Sequence, residues 1–555
     1  MKELILKNKK FVAITLLLVV LASITSTITP VIIQILSSRK TEADTDIFGM
    51  VIAAMFISFV LQFALLIYRQ NYAAKFNTGH LSSLLHKMFK MNYDAYSRLE
   101  PTYLINRIFS AVDTVYLFMI SSFEGLTRAG FIIFFSLFLA YSVHWSIFLC
   151  LLILIPVNFF GFRFINKRLK HKMEALQHEG ATANKDLVTA LSNADHIKQL
   201  PDFTFLEKAL LPGIGKMYQT LANTNKFAQG ASSVIDFINQ LLQNLIYVTI
   251  AYSITQQRLP VGSIVIIGVV LPLFFNSLRE LTQVNLNLKT LEAAIDFVKS
   301  DLDSNIEADG AVPVTTIESI TFEQPEFKLG NMEFGYPLQE HISRGQVVYL
   351  RGPSGSGKSS LLKLLLKFRA GSGITINDMP IHTVSNSSLR SRIAYLAQNT
   401  AILSKSLEEN IGFGERLTPE QKKIIEQSGV IGPILKLKAW DTLLTENGAN
   451  LSGGEKQRIA IARMLLKDAD VYILDESTSS IDQTSSDDIF NALLAMAKDK
   501  IVIYTSHDSD TVKYATGTIS LEAENINDEK LLDGRGAGQG ITGDHQNDQK
   551  LYEIR

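Results

Sequence analysis

In the first half of the chain the hydrophobic positions do not alternate with polar ones but run on without interruption. No charged residue occurs from Phe11 to Ser38, from Ile47 to Tyr68, from Ala129 to Phe162 or from Phe237 to Gln257, and Leu259–Leu278 is a further uncharged run. About 20 consecutive apolar residues suffice for a helix to cross the hydrocarbon core of a bilayer. The run Ala129–Phe162 is too long for one crossing, and His144 and Trp145 near its middle mark a wetted turn. The pattern therefore predicts six membrane helices, over residues 11–36, 47–70, 113–143, 146–166, 230–256 and 261–286. The first apolar run exceeds the roughly 7–15 residues of a cleaved signal's core, so it reads as a retained helix.

Beyond Asp301 the pattern changes. Charges, glycines and turn residues return, and short apolar strands (Val347–Leu350, Ile393–Ala397, Val471–Leu474, Ile501–Thr505) alternate with helical stretches such as Ser359–Phe368. That alternation predicts an α/β domain on a largely parallel sheet. The expected organisation is a membrane domain over 1–301, a linker over 302–316 and a second domain over 317–555, with a Gly-rich surface loop at Asp533–Gly543. The segment before Gly345 looks compressed, which predicts a small antiparallel subdomain.

Composition agrees with the membrane reading. Of 555 residues, 47% are apolar and only 19% charged, below the roughly 25% of soluble domains. Lys plus Arg is 53 and Asp plus Glu 54, a net charge of -1, so no excess positive field is available to hold nucleic acid. One cysteine, Cys150, rules out an internal disulfide, a cysteine zinc site and a CxxC redox pair. Lys and Arg concentrate before Phe11, between Arg69 and Arg107, and between Lys167 and Lys226. Basic loops stay on the cytoplasmic side, which puts both termini inside. The long inner loops keep a helical pattern, so the helices should extend beyond the membrane.

The second domain carries the chemistry. Strand Val347–Leu350 is followed by Gly352-Pro353-Ser354-Gly355-Ser356-Gly357-Lys358-Ser359-Ser360 and a helix. This is the phosphate-binding loop in its required strand–loop–helix setting: glycines let backbone N–H groups wrap phosphate oxygens, Lys358 reaches the β- and γ-phosphates, and Ser359 holds Mg²⁺. Strand Val471–Leu474 ends in Asp475 and Glu476. Asp475 would orient Mg²⁺ through water, and Glu476 would polarise the attacking water as general base.

Leu451-Ser452-Gly453-Gly454-Glu455, just upstream of that strand, resembles the signature motif of the ATP-binding cassette (ABC) family. Gln398 resembles its Q-loop glutamine, Ser479-Ser480-Ile481-Asp482 its D-loop and His507 its switch histidine. The ordered motifs cover about 320–520, and the preceding helices are similar to an ABC exporter half-transporter. The resemblance implies a multi-domain membrane protein: a six-helix, all-α exporter transmembrane domain followed by an α/β P-loop nucleotide-binding domain. It implies ATP and Mg²⁺ as cofactors, with Gln398 touching the metal and His507 the γ-phosphate. It also implies head-to-tail pairing of two nucleotide domains, each lending its Ser452-Gly453-Gly454 to the opposite triphosphate. Lys358, Glu476 and His507 are all present, so the expected assembly is a homodimer with two competent sites; the alternative is a heterodimer with this chain as the intact half. The chain departs from the pattern in two places. Glu455 stands where Gln is usual, read here as a surface-compatible swap. Leu329 stands where an adenine-stacking Tyr is usual, leaving Phe327 or Tyr336 as the platform. Glu446 resembles an acidic residue that meets the partner's inner loops, and Tyr93–Glu100 and Pro201–Glu207 fall where the family places its coupling helices.

In the fifth predicted span Asp236, Asn239, Gln240, Gln243 and Asn244 lie on one helical face; in the sixth Asn276, Arg279, Glu280, Gln283 and Asn287 repeat that spacing, and Glu124 and Arg128 are i, i+4 in the third. Such groups either line a wet translocation path or pair inside the bundle. A polar path suits a hydrophilic cargo, and the arrangement resembles small exporters of antimicrobial peptides. The expected activity is thus ATP-driven export of a polar substrate, a peptide, across a bacterial inner membrane. There is no room before Phe11 for a Cys/His peptidase domain, so another protein would process that cargo. The alternatives are a lipid or lipid-linked flippase and an ATP-gated channel or regulatory subunit.

Overall fold

The computed structural model describes residues 8–39, 45–192, 198–199, 202, 204–259, 262–329, 332–397, 400–475, 487, 490–491, 494, 498–506, 509–521 and 524–525. The chain forms two units, one of Met1–Met91 with Ala95–Ile306 and one of Asn92–Asp94 with Glu307–Arg555.

The first unit is helical: α1 (Lys9–Arg39), α2 (Thr45–Phe89), the short α3 (Tyr93–Leu99, whose first two residues belong to the second unit), α4 (Pro101–Leu117), α5 (Phe123–Val143), α6 (Trp145–Ser192), α7 (Thr204–Thr255) and α8 (Gly262–Phe297). A π-turn, Phe118–Ser122, joins α4 to α5 in one continuous rod. The expected turn lies at His144, whose extended backbone (φ -164°, ψ 132°) ends α5 just before Trp145. Among the described residues, Val51–Phe89, Pro101–Val143 and Glu207–Thr255 are long and apolar enough to cross a membrane, and Trp145–Gly161 with Ile165–Leu191, bent by 43°, makes a fourth. The first and last predicted spans fall in α1 and α8. At 1.5 Å per residue, the 48 residues of α6 and the 52 of α7 reach about 70–80 Å, more than twice a hydrocarbon core of about 30 Å. The expected inner extensions are therefore parts of the spanning helices themselves. α6 packs along α7 and α5 along α8 through Ile133, Leu151, Ile250, Leu271 and Phe274. Phe56, Phe59, Phe134, Phe138 and Phe160 are exposed, an apolar exterior that suits lipid.

In the second unit the described strands are β1 (Ser319–Leu329), β2 (Met332–Gly335), β3 (Gln339–Ser343), β4 (Val347–Arg351), β5 (Gly371–Ile376), β6 (Met379–Pro380), β7 (Ile393–Leu396), β8 (Val471–Asp475), β9 (Ile501–Thr505), β10 (Gly517–Ser520) and β11 (Glu524–Asn525). Five of them make a wholly parallel sheet in the order β10-β4-β9-β8-β7. β8 and β9 are buried along their full length, which explains their unbroken apolar sequence. The other six form an antiparallel sheet, β11-β2-β1-β5-β6 with β3 also on β1. The subdomain expected to be small thus holds six strands, because β1 runs long and a bulge between Phe322 and Glu326 lets it serve several partners.

The segment expected as a linker is tied down from Glu307 onward. The Glu307 carboxylate accepts two bonds from Arg390, at 2.9 and 2.8 Å, and Asp309 accepts from Asn386 N–H at 2.7 Å. A Cβ on Gly310 would lie 2.3 Å from the carbonyl oxygens of Thr383 and Val384, so the backbones meet too closely for any side chain.

Candidate nucleotide site and membrane cavity

The parallel sheet brings the phosphate loop and Asp475 together. The loop leaves the C-terminal end of β4 and Asp475 ends β8; β9 lies between them, with Thr505 in register with Asp475. A crevice at the carboxyl ends of parallel strands is where such sheets bind ligands. Ser359, at the second position of the helix Lys358–Leu365, donates its hydroxyl to Asp475 Oδ1 at 3.1 Å. Thr505 donates to the same oxygen at 3.1 Å, and Tyr395, on β7, donates to Oδ2 at 3.2 Å. Burial, reinforced by the negative Asp475, pushes the Tyr395 phenol above its usual range, so it remains a donor.

The loop needs its glycines. Gly355 and Gly357 have φ of +89° and +85°, and a Cβ on Gly357 would lie 2.5 Å from the Tyr336 hydroxyl, which donates to Gly357 O at 2.8 Å. Pro353, Ser354 and Gly355 are exposed at the tip. Lys358 Nζ lies over the loop, donating to Gly352 O at 2.8 Å and Pro353 O at 3.0 Å. Ser356 Oγ is buried and has no hydrogen-bond partner among the described residues, an orphan group in the phosphate cradle. Ser360 points elsewhere: its Oγ accepts from Arg369 at 2.9 Å.

Phe327 is not the adenine platform expected of it. It is 5% exposed, packed between Phe334 and Tyr336 at ring separations of 5.3 and 6.1 Å, with the Arg369 guanidinium also on the ring. Tyr336, the other candidate, is 2% exposed. Both aromatics are spent on the core between the sheets. Leu451 is buried, and Ser452 caps the helix Gly453–Leu465, whose first residues are Gly453 and Gly454. Ser452 Oγ accepts from Glu455 N–H, and the Glu455 carboxylate accepts from Ser452 N–H at 2.7 Å. Glu455 is therefore no free surface position. Gln398, Glu476, Asp482 and His507 lie outside the described residues.

Of the two expected coupling segments, Tyr93 lies with the nucleotide-binding unit. Its ring stacks on Phe368 at 5.6 Å, under the Lys363 ammonium at 4.9 Å.

In the membrane unit a cavity of about 500 Å³ opens between α7 and α8, lined by Asp236, Asn276, Arg279, Glu280 and Gln283 from the expected set. Gln229, Ser232, Ser233 and Thr282 also line it. Residues 229, 232, 233 and 236 continue the i, i+3, i+4, i+7 face of α7, so extending the periodicity toward the N-terminus would have found them. Three expected cavity residues act otherwise. Asn239 is buried and pairs its amide with that of Asn158 on α6, at 3.1 and 3.2 Å. Glu124 is ion-paired with Arg69 and Arg128, and Arg128 with Glu280. Arg69 also donates to Ile120 O in the π-turn, where the helix frees a carbonyl. Charges in a membrane need partners, and Glu124, 18% exposed, is held by ion pairing, while the exposed Arg128 bridges it to the cavity-lining Glu280. Gln240 and Asn244 are exposed and Gln243 is half-buried. Asn287 donates to Ser122 Oγ at 2.9 Å.

A helical membrane unit joined to a parallel sheet with a phosphate loop at its carboxyl edge defines a membrane-embedded, ATP-hydrolysing pump. The ABC transporter transmembrane region matches residues 12–278 and the ABC transporter family residues 337–479, so the chain carries the transmembrane and ATP-binding domains of an ABC exporter half-transporter. A probable ABC transporter ATP-binding/permease protein of Haemophilus influenzae is 34% identical over 222 residues, 39% of this chain and 40% of that one. The ATP-dependent lipid A-core flippase of Ralstonia nicotianae is 26% identical over 483 residues, 83% of this chain and 81% of that one. Among solved structures, a bacterial Atm1-family ABC exporter with ATP bound shares the fold at a TM-score of 0.78 and 18% identity, over 98% of this chain and 100% of that one.

Proposed function

We propose that two copies of this chain form an exporter of polar cargo in a bacterial inner membrane, with both termini in the cytoplasm. The chain divides between a membrane domain over 1–301 and a nucleotide-binding domain over 317–555. The Ser359–Asp475 pair supports binding of a divalent ion with the nucleotide: both groups offer oxygen to a hard cation, and the carboxylate is already oriented by three hydroxyls. Ser359, Asp475 and Gln398 would hold Mg²⁺, which supplies charge neutralisation on the phosphates. Lys358 and the loop N–H groups hold the β- and γ-phosphates, Glu476 takes the proton of the attacking water, and His507 contacts the γ-phosphate. The Ser452-Gly453-Gly454 helix end of the second copy closes over the same phosphates, with Asp482 at that interface. In vanadate-sensitive ATPase assays in nanodiscs, Glu476→Gln is expected to lower turnover to background; wild-type hydrolysis by that variant would remove Glu476 as the base.

The cavity between α7 and α8 carries the cargo reading. Its lining of amides, hydroxyls, two acids and Arg279 favours a polar, charge-bearing molecule, and its size admits a few residues of a peptide. A second reading, a flippase for lipid-linked substrates, is favoured by the flippase names of relatives that align over most of both chains. Proteoliposomes separate the two: ATP-dependent accumulation of a labelled peptide supports the first, and movement of a labelled lipid between leaflets supports the second.

A further inference from the structure

The acid at the signature helix poses a charge problem. Glu455 is the third residue of a 13-residue helix whose N-terminal N–H groups, from Gly453 and Gly454, favour an anion. A fixed carboxylate at that end repels a second anion arriving there. Lys438 answers it. Its Nζ lies 2.6 Å from Glu455 Oε1, and the two side chains are 19% and 18% exposed. The other oxygen, Oε2, accepts from Ser452 N–H at 2.7 Å, so each carboxylate oxygen has its own donor. Burial alone would push the Glu455 carboxyl up, but the bonds from Lys438 and Ser452 outweigh it and hold the group below the usual carboxylate range. Glu455 is therefore charged at neutral pH.

We propose that Lys438 is a positioning residue for ATP hydrolysis: it neutralises the signature carboxylate and holds it in the capping box, so that the Ser452-Gly453-Gly454 helix end accepts the triphosphate held by the opposite chain. The inference rests on the reading that this helix end meets nucleotide in trans. A glutamine at 455 would cap Ser452 without a charge, and Lys438 would then have nothing to cancel. The lysine is needed because the acid is there.

The test is Lys438→Met in the full-length protein in nanodiscs, assayed at saturating Mg²⁺. The apparent KM for ATP is expected to rise about 3- to 10-fold with kcat nearly unchanged, the size expected for a charge-assisted bond. Adding Glu455→Gln to the same chain is expected to restore KM, and the defect of the single variant should shrink as salt rises. An unchanged KM, or a rise that Glu455→Gln does not correct, overturns the proposal; the latter would make Lys438 a packing residue. Gly453→Asp separates this from the underlying reading. Wild-type hydrolysis by Gly453→Asp would remove the trans site and the proposal with it, whereas an inactive Gly453→Asp beside an unaffected Lys438→Met would reject the charge pairing alone.

Discussion

At the residue scale, identity and environment divide the work. Lys358, Ser359 and Asp475 announce themselves by motif, because phosphate and metal chemistry demand those groups at that spacing. Tyr336, Tyr395, Thr505 and Lys438 belong to no motif; each acts from a distant strand or loop, and only folding puts its polar atom in reach. Tyr336 shows how the two kinds meet. Gly357 has φ +85° and sits under the Tyr336 hydroxyl, so the loop is held open from outside itself. Gly357→Ala combines a left-handed strain of about 1–2 kcal/mol with a clash against a buried ring. It is expected to lower the affinity for a fluorescent ATP analogue at least tenfold. Tyr336→Phe, which loses one hydrogen bond of about 0.5–1.5 kcal/mol, should keep most of that binding. Fluorescence titration of the two variants checks the order.

At the scale of elements, the uninterrupted apolar runs made the membrane helices legible, and the apolar strands made the parallel sheet legible. Periodicity was less informative about what a polar face does. Asp236 and Asn239 share one face of α7, yet Asp236 lines the cavity while Asn239 bonds to Asn158. The difference lies in α6, which covers one part of that face and leaves the next open. Asn239→Leu is therefore expected to weaken helix pairing by about 0.6 kcal/mol, read from unfolding in graded detergent, and to leave transport intact. Asp236→Asn should instead change cargo-stimulated ATPase. The π-turn at Phe118–Ser122 was equally hidden, since no sequence period marks it. It places Ile120 O and Glu124 against Arg69 and so settles a cation inside the bundle. Phe327 fails as an aromatic platform for a similar reason: it has the right chemistry, but Phe334, Tyr336 and Arg369 already surround its ring.

At the scale of the whole molecule, ATP turnover in this reading needs two chains, because each signature helix serves the opposite triphosphate. A chain carrying Ser359→Cys and Gly453→Cys, with the exposed Cys150 replaced by Ala, tests this directly. Oxidation with ATP and Mg²⁺ is expected to yield a covalent two-chain species on non-reducing gels; crosslinks confined to single chains would refute the pairing. What the sequence determined by itself was the class of molecule: runs of apolar residues dictate membrane helices because lipid offers no hydrogen bonds, and the phosphate loop dictates nucleotide because its spacing is the chemistry. What the tertiary structure decided was the use of each polar side chain. A carboxylate, an amide or a ring acts according to what packs beside it, and those neighbours come from elements far away in the chain.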